Sequence, residues 1–93
     1  MIKLGNNNAG KGGIGLPYCK RIRDLREDHD KTQEEIARIL GTSQTMYARY
    51  ERGANEMPIR HLITLCKYYQ VSADYILNLT DNPAMPDKNK KNR

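Results

Sequence analysis

The sequence predicts an all-α fold of five short helices, and three observations carry that prediction. Apolar residues recur at spacings of three and four from Tyr18 to Leu77. Helix-start and helix-stop residues punctuate those segments, at Thr32, Gly41, Ser43, Gly53 and Ser72. No stretch alternates apolar and polar residues as a half-buried strand would.

The first helix starts near Tyr18, with Tyr18, Ile22 and Leu25 on one stripe and Arg21, Arg23, Asp24 and Glu27 elsewhere. The polar run Asp28, His29, Asp30, Lys31 ends it. Thr32 opens the second helix at T-x-x-E spacing from Glu35, so that hydroxyl and carboxylate satisfy two orphan amides reciprocally. Ile36, Ala37, Ile39 and Leu40 supply its apolar side. Gly41 stops it, because a residue without Cβ enters the left-handed conformation free of clash. Ser43 caps the third helix, which runs to a second stop at Gly53. After the loop Ala54, Asn55, Glu56, Met57, Pro58 suits the first turn of the fourth helix. That helix carries Ile59, Leu62, Ile63, Cys66 and Tyr69 at three-to-four spacing. Val71 and Ile76 flank the cap Ser72 as a hydrophobic staple and start a short fifth helix through Leu77.

Ninety-three residues suggest one domain, divided into an arm at 1–17, a helical domain at 18–81 and a tail at 82–93. The domain has about 65 residues, near the lower size for folding without staples. Five of the seven glycines and three consecutive asparagines make the arm a flexible segment, and the basic tail lacks any core-forming pattern and is expected to be disordered. The arm also contains G-x-x-x-x-G-K at Gly5, Gly10 and Lys11, a near-match to a phosphate-binding loop. A working loop needs a strand before it, a helix after it and a hydroxyl for magnesium. Here only Met1 to Leu4 precede it, Gly12 takes the hydroxyl position, and Gly13, Gly15 and Pro17 oppose a helix. The match is read as chance.

Cys19 and Cys66 are far apart, with no C-x-x-C pair and no histidine at ligand spacing, so neither a disulfide framework nor a metal site is expected. No apolar run approaches the ~20 residues of a membrane span, and residues 1–17 lack the apolar stretch of a signal peptide. A cytoplasmic protein is expected. The formal charge of +5 resides at the ends. Lys3 and Lys11 give residues 1–17 a charge of +2, and Lys88, Lys90, Lys91 and Arg93 against Asp87 give residues 84–93 a charge of +3. The helical region is neutral. A neutral domain binds nucleic acid only if its charges are segregated, so placement decides.

Placement is informative around the second and third helices. Small Ala37 precedes Gly41 by four residues, and Leu40, Gly41, Thr42 and Ser43 make a tight turn. A small side chain and a short glycine turn permit a close, near-perpendicular crossing, the geometry of a helix-turn-helix. At about 100° per residue the third helix separates Met46, Tyr47 and Tyr50 from Gln44, Thr45, Ala48, Arg49 and Arg52. This second face has no acid. Gln pairs bidentately with adenine, Arg with guanine, the Thr methyl meets a thymine methyl, and small Ala48 permits close approach. Composition alone fits an ordinary solvated face equally well; position after the capped turn favours DNA.

The stretch from Thr32 to Asp81, TQEEIARILGTSQTMYARYERGANEMPIRHLITLCKYYQVSADYILNLTD, together with Ile22 to Glu27, resembles the lambda-repressor-like helix-turn-helix family of the Cro and phage-repressor type. The resemblance covers about two thirds of the chain. It implies a sequence-specific DNA-binding transcriptional regulator whose partner is double-stranded DNA, bound as a homodimer on a palindromic operator. It implies base reading by Gln44, Thr45, Ala48 and Arg49, and phosphate contact by Gln33, Ser43 and Arg52, with the loop from Gly53 to Glu56 near the backbone. It also implies a structural ion pair between Arg26 and Glu51. Thr42 stands where an aliphatic residue is common, and Tyr47 replaces a typical Ile or Val. Glu56 would repel a phosphate that it faced.

His29 is read as a solvated or capping residue at the end of the first helix, and Cys66 as a core residue too far from His61 for helical metal ligation. Glu34 and Glu35 resemble a catalytic pair, but a helix N-terminus explains both. No enzyme, no cofactor and no membrane association are expected. The arm and tail offer further phosphate or minor-groove contacts, or none. The rival reading is a protein-interaction module on the same scaffold, such as an antitoxin or adaptor, and against it stands the lack of an apolar patch outside the core stripes.

Overall fold

The computed structural model describes residues 16–85, which hold α1 (Tyr18–Asp28), α2 (Gln33–Leu40), α3 (Gln44–Arg52), α4 (Ile59–Tyr69) and α5 (Ala73–Ile76), with no strand among them. The arm and most of the tail, and with them the Gly5-to-Lys11 motif, lie outside the described residues.

Local chemistry sets most of the boundaries. The Thr32 hydroxyl accepts the Glu35 amide at 3.0 Å while the Glu35 carboxylate accepts the Thr32 amide at 2.8 Å, completing the capping box. Ser43 and Ser72 cap α3 and α5 through the amides of Met46 and Tyr75. Gly41 and Gly53 end α2 and α3 at φ of 74° and 78°, where a Cβ is strained. Pro58 is the cap residue of α4, at an extended ψ of 151°, rather than part of its first turn. Gln70 ends α4 in the left-handed region without being glycine, at φ of 59°. Its side-chain amide donates to the Lys67 carbonyl, satisfying one of the helix's orphan acceptors.

The two helices of the tight turn, α2 and α3, make the most extensive contact, with α1 packed on α3 and α5, and α4 on α2 and α5. Ile22, Ile36, Tyr47, Leu65 and Ile76, from all five helices, are fully buried at the centre. Burying each such side chain stabilises by ~1.5–3 kcal/mol. Cys66 packs into this core and Cys19 is half-buried, both unpaired.

Two apolar stripes differ from the sequence expectation. In α2, Ile39 is 38% exposed and the buried set is Ile36, Ala37 and Leu40. In α4 the buried set is His61, Leu65, Cys66 and Tyr69, leaving Ile59 73% and Ile63 49% exposed. The helix is rotated because His61 turns inward, its ring 5.7 Å from that of Tyr50. Histidine is polar by composition, so the apolar spacing of α4 alone points to the wrong side of the helix. The exposed isoleucines are also an apolar surface outside the core, which the sequence reading did not find. Beyond Asp81 the chain stays attached, with the Ser72 amide donating to the Pro83 carbonyl at 3.0 Å.

Candidate nucleic-acid interface

The turn between α2 and α3 is closed by the Gly41 amide on Arg38 and the Thr42 amide on Ala37, at 3.1 and 2.9 Å. Ala37 is buried at this junction, and Thr42, where an aliphatic residue is common, is half-buried. With Tyr47 and Tyr50 turned inward, helical geometry sends Gln44, Thr45, Arg49 and Arg52 to solvent; Ala48 is half-buried between them. All four expected base-reading positions therefore share one acid-free face. Ser43, at its N-terminal edge, is exposed while its oxygen caps the helix. Among the described residues Arg52 enters no ion pair.

Behind that face lies a buried polar network. Glu51, on the inner side of α3, receives Arg26 Nε at 2.7 Å on one carboxylate oxygen and Arg26 Nη2 at 3.1 Å on the other. Arg26 also donates through Nη1 to the Lys31 carbonyl at 2.9 Å, tying down the connection from α1 to α2. Burial acts to raise the Glu51 carboxyl. The hydrogen bonds from Arg26 and Gln33, the nearby Tyr47 hydroxyl and the attraction of Arg26 outweigh it and hold the group below the usual carboxylate range. Glu51 is ionised. Its hydrogen bond raises the Arg26 guanidinium in turn, against the opposing effect of burial. Among the described residues the buried Tyr47 hydroxyl has no partner of good geometry, yet it lies near enough to favour the carboxylate; its own ionisation is pushed far up, first by burial and then by Glu51.

Gln33 is the member that connects this network to the surface. Its Nε2 donates to Glu51 Oε1 at 3.1 Å. An ionised carboxylate only accepts, so the NH₂ end of Gln33 must point at it, leaving the second N–H at the N-terminal edge of α2. The sequence showed Gln33 as the opening residue of a helix, but not this constraint.

Arg49 has a partner that the sequence did not single out. Its Nε donates to Asn55 Oδ1 at 2.7 Å, where Asn55 lies in the loop after α3. Its only local signal is an asparagine two residues beyond a stop glycine. Glu34 and Glu35 have two separate roles, Glu35 in the capping box and Glu34 beside Arg38 at 3.9 Å on the exposed side of α2. His29 caps α1, its Nδ1 2.8 Å from the Leu25 carbonyl and its ring 4.8 Å from that of Tyr69. Among the described residues no group of three metal-ligating side chains occurs, and no helix is long and apolar enough to cross a membrane.

The helix-turn-helix family profile matches residues 22–76, from the first turns of α1 to the end of α5. This chain belongs to the helix-turn-helix family. The helix-turn-helix chain is 41% identical over 75 residues to YobD of Bacillus subtilis strain 168, an uncharacterized HTH-type transcriptional regulator, covering 81% of this chain and 66% of YobD. It is 40% identical over 53 residues to the antitoxin PezA of Streptococcus pneumoniae, covering 57% of this chain and 34% of PezA. It thus spans less than two thirds of the length of either relative. Among solved structures it is similar to the P22 c2 repressor in complex with a synthetic operator, with a TM-score of 0.60 and 27% identity over 67% of this chain and 94% of that one. The five-helix arrangement of this helix-turn-helix domain is that of a lambda-repressor-like fold.

Proposed function

We propose that this helix-turn-helix protein is a sequence-specific, repressor-like transcriptional regulator that docks α3 in the major groove of double-stranded DNA. The observation that carries this reading is the acid-free face of exposed Gln44, Thr45 and Arg49 around half-buried Ala48, directly after a capped turn. The likeness to a repressor solved on its operator supports it. In this reading those four residues meet base edges. Gln33 donates its second amide N–H to a phosphate, the Ser43 hydroxyl donates to another, and Arg52 supplies a charge to the backbone. The protein acts in the cytoplasm as a homodimer on a palindromic operator, with half-sites about one helical turn apart. It is not an enzyme.

Selection from a random duplex library at roughly 150 mM salt, where non-specific phosphate attraction is weakened, tests this directly. The wild type should enrich a palindromic motif. Arg49→Ala should cost ~1–3 kcal/mol on that motif and relax one base pair. Failure to enrich any motif would overturn the reading. The exposed Ile59 and Ile63, with the similarity to PezA, favour a protein-partner module as the second reading; a stoichiometric partner on pull-down, without DNA binding, would establish it.

A further inference from the structure

Arg49 brings a planar fork of N–H donors to the α3 face, and its long, flexible stem is held at one point. Nε donates to Asn55 Oδ1 at 2.7 Å. A guanidinium has two forks to offer a base, the Nε–Nη side and the Nη–Nη end. Occupying Nε removes the first and leaves the second, which matches guanine O6 and N7. Asn55 therefore both limits the rotamers of Arg49 and chooses the edge that it presents.

The loop carrying Asn55 is itself fixed at both ends. After the left-handed turn at Gly53 the chain folds back, and the Ala54 amide donates to the Arg49 carbonyl at 2.9 Å, with the Asn55 amide on the same carbonyl at 3.4 Å. Two residues later the Met57 amide donates to the Tyr18 hydroxyl of α1 at 2.7 Å. The residue that grips the Arg49 side chain is thus pinned to the Arg49 backbone, and its loop is anchored to a different helix. An exposed residue on an untethered loop would not hold an arginine in register.

We propose that Asn55 is a specificity-determining positioning residue that fixes Arg49 for end-on reading of one guanine. This rests on the DNA-reading function proposed above. Without Asn55 the guanidinium samples its other fork and neighbouring phosphates, and the reading conformer becomes a minor population. The loss falls on one base pair rather than on affinity in general.

The test uses the full chain, the duplex enriched by the wild type and versions of it changed at each position. Asn55→Ala should relax the same base pair as Arg49→Ala, weakening the preferred duplex by about threefold to tenfold. The double variant should be no weaker than Arg49→Ala alone, because the effect passes through Arg49. Asn55→Asp keeps the acceptor for Nε and should retain the preference at that pair, even where its charge lowers affinity on every duplex. The proposal is overturned if Asn55→Ala leaves that preference intact, weakens all duplexes alike, or adds its loss to that of Arg49→Ala. Preference lost equally in Asn55→Asp would also overturn it. Those results leave the regulator reading standing. If the wild type enriches no motif, or Arg49→Ala alters no position, the reading fails and this inference fails with it.

Discussion

Arg26 grips Glu51 at both carboxylate oxygens, joining the end of α1 to the end of α3 through a pair whose acid side chain is 4% exposed. The pair is a bidentate fork in a largely dehydrated place, where a missing partner is far more costly than the pair is stabilising.

Glu51→Ala should therefore destabilise by about 3–5 kcal/mol, because it leaves the Arg26 guanidinium without its carboxylate and Gln33 without its acceptor. A domain of this size has little more than that in reserve, so the variant should be substantially unfolded at room temperature by circular dichroism. A urea midpoint close to that of the wild type would refute the role given to this pair.

Acid stability follows from the same group. The folded-state carboxyl of Glu51 lies below its ordinary value of 4.5, so its contribution is fully present above that value and is lost as pH falls through the depressed one. His61 is depressed from 6.5, by burial first and by nearby Arg60 second. The unfolded chain then binds the proton more readily, and stability declines as pH falls below 6.5. Urea titrations should show both declines. His61→Leu should flatten the upper one and Glu51→Gln the lower; an unchanged profile in either variant would contradict the corresponding assignment.

Tyr69 carries a buried hydroxyl with no hydrogen-bond partner among the described residues, and burial pushes its ionisation well above normal. Tyr69→Phe removes the unsatisfied group while keeping the ring that packs on His29 and Tyr68. It should leave stability unchanged or raise it by up to ~1 kcal/mol, visible as a few degrees in Tm. A loss of stability would mean that the hydroxyl is satisfied.

Gln33→Ala should weaken binding to every DNA sequence to a similar degree, as expected of a phosphate contact. Gln33→Glu should be worse for folding, because it places a second carboxylate against the ionised Glu51. A motif-specific change in Gln33→Ala, measured on the enriched duplex and its single-base variants, would instead make Gln33 a base reader.

Features whose causes are local were legible in the chain before it folded. Thr32 with Glu35, Ser43, Ser72 and the two stop glycines act within one helical turn, so their positions along the chain are their positions in the structure. The division of α3 into two faces was legible for the same reason, since helical rotation separates Tyr47 and Tyr50 from Gln44 and Arg49 whatever surrounds them. Tertiary structure decided what depends on a distant neighbour. The rotation of α4 was hidden because His61 is polar by composition and buried only where Tyr50 receives its ring. Gln33 meets Glu51 across 18 residues of chain, and its amide orientation depends on a charge that only packing brings near. Arg49 meets Asn55 only because Gly53 turns the chain back and Tyr18 holds the loop in place. Which residues face outward is a matter of helical period; which way their donors point depends on partners that the folded chain supplies.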